Sequence, residues 1–206
     1  ITPETKKFFV TTFGCQMNVH DSERIAGQLL EDGYTEAKTE AEADVIVLNT
    51  CCIRENADKK LYGTVGTLSQ LKESKPKLQI AVGGCLAQKD RDQILKKLKS
   101  VDVVFGTHNI DRVTQLLHEN EITNEAIIEI IEEHEAYPSA LPAKRDNAFS
   151  AWVTIQIGCD NKCAFCIVPS VRGKEVSRRM GDIVHEIEDL VADGVTEVTL
   201  LGQNVN

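Results

Sequence analysis

AWVTIQIGCDNKCAFC, residues 151–166, runs an apolar segment into a loop that carries three cysteines. Ala151–Ile157 reads as a buried strand, because it is short, apolar and rich in β-branched residues. Cys159, Cys163 and Cys166 follow with C-x3-C-x2-C spacing. Three thiolates on so short a loop can hold three irons of a 4Fe–4S cube and leave the fourth iron for a substrate or cofactor. A disulfide scaffold fits poorly: the chain has 206 residues and an odd number of cysteines, seven. A zinc site completed by His185 is an alternative, although zinc loops usually pair their cysteines across a longer gap. A redox pair of Cys163 and Cys166 is another, but it leaves Cys159 without a role.

Outward from this loop, the chain continues as one α/β unit. Gly181–Ala192 has helical spacing, with Ile183, Ile187, Leu190 and Val191 on one face, and EVTLL at 197–201 reads as the next strand. One strand–loop–helix–strand unit cannot cover both faces of a sheet. It reads as the opening of a larger parallel barrel, whose working residues sit at the carboxyl ends of the strands, where Cys159 and Gln203-Asn204 fall. Upstream, residues 120–149 form a connector with two prolines and no clear period; Glu121–Glu135 fits either an edge strand or a helix.

Residues 1–119 alternate strand and helix. Phe8–Thr12, Val45–Leu48, Ile80–Val82 and Val101–Phe105 read as strands. Asp21–Glu31 (with Asp21 as N-cap), Glu55–Lys72, Asp90–Lys99 and Asp111–Glu119 read as helices. The expected fold is therefore α/β: an open, mostly parallel, Rossmann- or flavodoxin-like sheet, followed by the start of a TIM-type barrel at 150–206. The other cysteines also follow strands: Cys15 in FGCQMN, Cys51 and Cys52 in LNTCCIRE, Cys85 in GGCLAQ. Open parallel sheets bind ligands along the rim at the carboxyl ends of their strands, so Cys15, Cys51 and Cys85 are candidates for one shared metal site. Each alone could equally be a small core residue, which is how Cys52 is read.

Composition narrows the class. The hydrophobic fraction of 42% and charged fraction of 27% are those of an ordinary globular protein. The net charge of −9 argues against a generally basic nucleic-acid binder. Arg172, Lys174, Arg178 and Arg179 nonetheless make a local basic run that could meet phosphates. No apolar run is long enough to span a membrane, and ITPETKKFFV lacks a signal-peptide pattern. Free cysteines without such a signal suggest the cytoplasm and no membrane partner. A chain opening on Ile1 suggests that leading residues are missing.

TFGCQMNVHDSE, LNTCCIRENADKKLYG, VGGCLAQKD, VDVVFGTHNI, GCDNKCAFCIVPSVRGKEVSRR and LGQNVN, in this order from about Phe8 to the end, resemble the radical S-adenosylmethionine (SAM) methylthiotransferases. CIRENA and LGQNVN look like the branch that modifies tRNA, rather than those acting on a ribosomal-protein aspartate or on threonylcarbamoyladenosine. The resemblance implies an enzyme with two 4Fe–4S clusters that uses SAM as methyl donor and as radical source. Its substrate would be isopentenyladenosine beside the anticodon of tRNA, which receives a methylthio group at C2.

Residue by residue, the resemblance implies that Cys159, Cys163 and Cys166 hold the SAM-binding cluster, and that Cys15, Cys51 and Cys85 hold the auxiliary cluster, where sulfur is methylated and donated. Phe165 matches an aromatic that the family places near the SAM adenine. Asn18, Asp21, Asn49 and Arg54 lie in the matching motifs, either supporting the sites or capping helices. His20 lies in a matching motif and is a candidate neighbour of the auxiliary site. Further expectations are an electron donor of flavodoxin type and an unidentified sulfur source. The chain is about half of what the family leads one to expect, lacking most of the barrel and a C-terminal β-domain that holds tRNA. A methylthiotransferase acting on a ribosomal protein and a non-catalytic metal-binding scaffold are the rival readings.

Overall fold

The computed structural model describes residues 5–52, 55–132, 141–145 and 147–205. In chain order its elements are β1 (Lys7–Phe13), α1 (Gln16–Glu31), β2 (Thr35–Glu36), β3 (Val45–Thr50), α2 (Glu55–Ser74), β4 (Gln79–Gly84), α3 (Cys85–Asp90), α4 (Asp92–Lys97), β5 (Val103–Phe105), α5 (Val113–Thr123) and β6 (Ile127–Glu129). The second unit follows as β7 (Ser150–Thr154), β8 (Gln156–Ile157), α6 (Val168–Arg172), β9 (Val176–Ser177), α7 (Met180–Ala192) and β10 (Glu197–Leu201).

The first six strands form one sheet in the order β2-β1-β3-β4-β5-β6, and every pairing is parallel. All residues of β3 and β4 are buried, as expected of central strands covered on both faces. The alternation of side chains across a strand sorts β3 between two cores. Ile46 and Leu48 pack with Leu61, Val65 and Leu68 of α2 and Ile94 of α4. Val45 and Val47 face the other way, against Ile25 and Leu29 of α1 and Leu116 and Leu117 of α5. β7 and β10 pair in parallel, and α7 packs on them through Leu190, Ile183 and Ile187. The expected α/β architecture, an open parallel sheet followed by a strand–loop–helix–strand unit, is the one observed.

Several local expectations are corrected. α1 begins at Gln16, with Cys15 rather than Asp21 at its N-cap, so Asp21 lies inside the helix. The helix expected over Asp90–Lys99 is instead α3 and α4, separated at Arg91, whose φ of 49° turns the chain. Glu121–Glu135 resolves in part: its Ile127–Glu129 is an edge strand on β5, and α5 runs on to Thr123, so this part of the expected connector completes the first sheet.

Candidate metal centre at the strand ends

The sheet reverses its strand order between β1 and β3, since β2 lies on one side of β1 and β3 to β6 continue on the other. Such a switch point opens a crevice at the carboxyl ends of the flanking strands. Register fixes what stands there. Phe13 pairs with Thr50, and Thr50 with Gly84, so Cys15, Cys51 and Cys85 leave three adjacent strands at one level. The three side chains line a single cavity of about 250 Å³. Its remaining wall comes from the second unit: Val168, Val171 and Arg172 of α6 and Leu201, Gly202 and Gln203 at the end of β10.

Buried amides hold Cys15 in place. The Cys15 backbone N–H and its thiol both donate to Asn18 Oδ1, each at 3.4 Å. Asn18 Nδ2 donates to Asn49 Oδ1 at 3.3 Å, and Asn49 Nδ2 returns to Asn18 O at 2.8 Å and to Ser22 Oγ at 2.9 Å. Asn18 and Asn49, both buried, thus tie the first turn of α1 to the end of β3, next to Cys51. Gly84 makes the approach of Cys85 possible. Its φ of 91° suits glycine, and a Cβ there would fall 2.3 Å from Asn49 Oδ1 and 2.5 Å from Thr50 O.

The thiols are poised as metal donors. A hydrogen bond with Cys51 is the main cause that draws Cys15 down to about 5 against the opposing effect of burial. A hydrogen bond with Cys52 draws Cys85 down to about 6, again against burial and with help from Arg172. Cys52 moves the opposite way, pushed up by its bond to Cys85 and then by burial, so its thiol keeps its proton and serves its neighbour. Thiolate is the form that ligates metal. Among the described residues no three His, Cys, Asp or Glu side chains form a ready cage for one metal ion. The fit to an iron–sulfur group therefore rests on the shared cavity and on the lowered proton affinity of Cys15 and Cys85.

The second cysteine group lies on the loop after β8. Cys159 is buried, and its N–H donates to Gly173 O at 3.2 Å; Cys163 and Cys166 are exposed, with Cys166 N–H on Cys163 O at 3.1 Å. Phe165 between them is 94% exposed. The strand before this loop packs so closely that a Cβ at Gly158 would meet Lys174 O at 1.9 Å. Gln156, which sequence reasoning passed over, braces the loop: Nε2 donates to Gly158 O at 2.6 Å, and Oε1 accepts from Gln203 N at 2.8 Å and Asn204 N at 3.2 Å. The same residue thus joins the cysteine loop to the end of β10.

The basic run divides. Arg172 is 6% exposed and its Nη2 donates to Asp21 Oδ2 at 2.7 Å. Arg178 is buried as well, donating to Thr154 O at 2.9 Å and pairing with Glu186. Neither is placed to meet phosphate, whereas Arg179 is exposed. His20 lines a small pocket with Trp152, Arg178 and Glu186 and not the cysteine cavity. His185 lies exposed on α7, 3.8 Å from Asp189. Arg54 and His134 lie outside the described residues.

The sheet with its thiol-lined switch point, joined to a strand–loop–helix–strand unit bearing C-x3-C-x2-C, defines a two-part α/β protein of the radical-SAM class. Comparison with known proteins agrees. Residues 7–106 match the model of "Uncharacterized protein family UPF0004", and residues 153–206 match that of the radical SAM superfamily. The chain is 59% identical over 204 residues to a protein of Streptomyces viridosporus, and 60% identical over 203 residues to one of Paenarthrobacter aurescens. Both are named tRNA-2-methylthio-N(6)-dimethylallyladenosine synthase. Each match takes in 98% of this chain but only 40% and 39% of the relative, so the chain spans about two-fifths of their length. In fold it resembles the radical S-adenosylmethionine methyltransferase TsrM of Kitasatospora setae, solved with tryptophan and a SAM analogue. The TM-score is 0.58 at 10% identity, over 97% of this chain and 48% of that one. The chain belongs to the radical-SAM methylthiotransferase family.

Proposed function

We propose that this chain is the two-cluster portion of a tRNA methylthiotransferase that places a methylthio group on C2 of isopentenyladenosine beside the anticodon. The observation that carries this reading is the shared cavity: Cys15, Cys51 and Cys85, from three adjacent strand ends, line it together, and the unit bearing the other three cysteines closes it. Each group supplies three thiols, which leaves one iron of each cube open. Cys159, Cys163 and Cys166 would hold the cluster that chelates SAM, and the exposed ring of Phe165 is available to cover the SAM adenine. Cys15, Cys51 and Cys85 would hold the cluster from which sulfur is donated.

The chemistry that such a cluster with SAM supplies is reductive cleavage of a carbon–sulfur bond, giving a radical able to take hydrogen from an unactivated aromatic carbon. The residues of this chain bind and orient. Asn18 and Asn49 fix Cys15, Gly84 lets Cys85 approach, and Gln156 sets the cysteine loop against β10. Val168, Val171 and Leu201 supply an apolar part of the cavity wall beside the thiols. tRNA, a one-electron donor of flavodoxin type and a sulfur source are the partners implied. No helix among the described residues is long and apolar enough to cross a membrane.

Anaerobic reconstitution tests the reading, with iron and sulfide counted in the wild type and in a Cys159/Cys163/Cys166→Ala variant. About eight irons falling to about four supports two cubes. About four irons, all lost in the variant, would leave Cys15, Cys51 and Cys85 as core residues. Zinc without sulfide would return the metal-scaffold reading. Methylthio incorporation into isopentenylated tRNA, and not into a ribosomal protein, then fixes the substrate class.

A further inference from the structure

Arg172 belongs by sequence to the segment after the Cys159 loop, but its contacts lie with the other cysteine group. It ends α6, and its guanidinium enters the cavity lined by Cys15, Cys51 and Cys85. Nη2 donates to Asp21 Oδ2 of α1 at 2.7 Å, and Arg172 shares the cavity lining with Cys85. The helix that carries it is pinned to the first unit by Thr107 Oγ1, which donates to Val171 O at 2.6 Å. The next residue, Gly173, accepts the backbone N–H of Cys159. The segment that bonds Cys159 thus also carries Arg172 to the cavity that Cys85 lines.

A buried Arg–Asp pair is a poor device for stability alone, since desolvation offsets most of its attraction. Here the cation also lines the candidate metal site together with the three thiols. Net charge and hydrogen bonds to the sulfurs are what set the potential of an iron–sulfur centre. We propose that Arg172 is a positioning residue that, anchored by Asp21, donates to the Cys85 sulfur, raises the reduction potential of the strand-end cluster and fixes the Cys159 loop against it. The inference rests on the reading of Cys15, Cys51 and Cys85 as cluster ligands. Its physical basis is that a fixed cation favours the more negative, reduced state of a group bound by three thiolates.

The test uses the Cys159/Cys163/Cys166→Ala background, in which only the strand-end cluster reports. The protein is reconstituted anaerobically, and the cluster's midpoint potential is read by an EPR-monitored dithionite titration. With iron content unchanged, Arg172→Met is expected to lower the midpoint and Arg172→Lys to restore most of the shift. Asp21→Asn, which leaves the arginine charge uncompensated, is expected to raise it. An unshifted midpoint in Arg172→Met overturns the role of Arg172 alone. Should Arg172→Met take up no iron, Asp21→Asn decides: an unshifted midpoint there overturns the proposal. A background that binds no iron overturns the ligand assignment, and this proposal with it; the iron count keeps that result distinct from an unshifted midpoint.

Discussion

Gly84→Ala is the substitution whose consequence is most directly calculable. Gly84 has φ 91° and ψ −165°, a region essentially closed to residues with a Cβ. Adding a Cβ also places it 2.3 Å from Asn49 Oδ1 and 2.5 Å from Thr50 O. Thr50 is ladder-bonded backbone in β3 and cannot retreat without moving Cys51. Backbone strain of roughly 1–3 kcal/mol, overpacking of roughly 1–3 and loss of the Asn49–Asn18 bond at about 1 sum to roughly 3–7 kcal/mol. Gly33→Ala provides the control. Gly33 has a similar φ of 89° but nothing within 4 Å of its would-be Cβ, so it carries backbone strain alone, about 1–2 kcal/mol. Urea unfolding of both variants beside the wild type measures the difference. Iron counting should show Gly84→Ala losing the strand-end cluster while the Cys159 loop still loads. A Gly84→Ala variant within about 1 kcal/mol of Gly33→Ala would refute the steric reasoning.

Two further outcomes follow from buried charge. Burial, reinforced by Arg24 and Arg178 and opposed by Asp21, holds His20 down at about 4. The unfolded chain takes up a proton near 6.5 that the folded ring refuses. Stability is therefore full above that value and falls as pH drops from 6.5 to about 4, by up to roughly 3 kcal/mol. Denaturation at stepped pH should show this slope, and His20→Phe should flatten it; an equal slope in both would assign the acid sensitivity elsewhere. Within the basic run, if the chain binds tRNA as proposed, Arg179→Ala is expected to weaken that binding and lower its salt slope by about one, with little effect on stability. Arg178→Ala, which leaves Thr154 O and Glu186 without their donor, is expected to destabilise by roughly 2–4 kcal/mol. Thermal melts and salt-stepped binding separate the two, and a reversed pattern would refute the burial argument.

The fold was legible where hydrophobic pattern alone decides it. Val45–Leu48 and Ile80–Val82 are short continuous apolar runs that suit central, two-sided strands, and the strands that contain them are fully buried. Placing Cys15, Cys51 and Cys85 on one rim needed only the rule that parallel strands end together. The start of α1 was missed because Gln16, Met17 and Asn18 carry no capping signature of the usual kind; cysteine is a rare N-cap, here supported by Asn18. The helix break at Arg91 has no glycine or proline to announce it. Arg172 was misread for a different reason. Sequence shows an arginine among basic neighbours and suggests a solvated patch, but its partner Asp21 lies 151 residues away. Such a pairing exists only once the two units dock.

That docking is also what relates the two groups of cysteines. Along the chain, Cys85 and Cys159 are separated by a complete strand–helix–strand passage and a connector; in space the segment that bonds Cys159 through Gly173 also places Arg172 in the cavity lined by Cys85. The first unit supplies thiols on a switch-point rim but not the wall that closes them off. The second supplies that wall from α6 and the end of β10, next to its own cysteine loop. Neither unit encloses the cavity alone, so its shape and polarity depend on their register. Two directional bonds cross between the units: Thr107 Oγ1 donates to Val171 O, and Arg172 Nη2 donates to Asp21 Oδ2, while Gln88 holds Thr107 in place by accepting from its backbone N–H. Directional polar bonds fix a single docked geometry where an apolar face would tolerate sliding. Under the proposed function, two sites acting on one adenine ring would require that fixity, which would account for polar residues buried at a junction where apolar ones would be at least as stable.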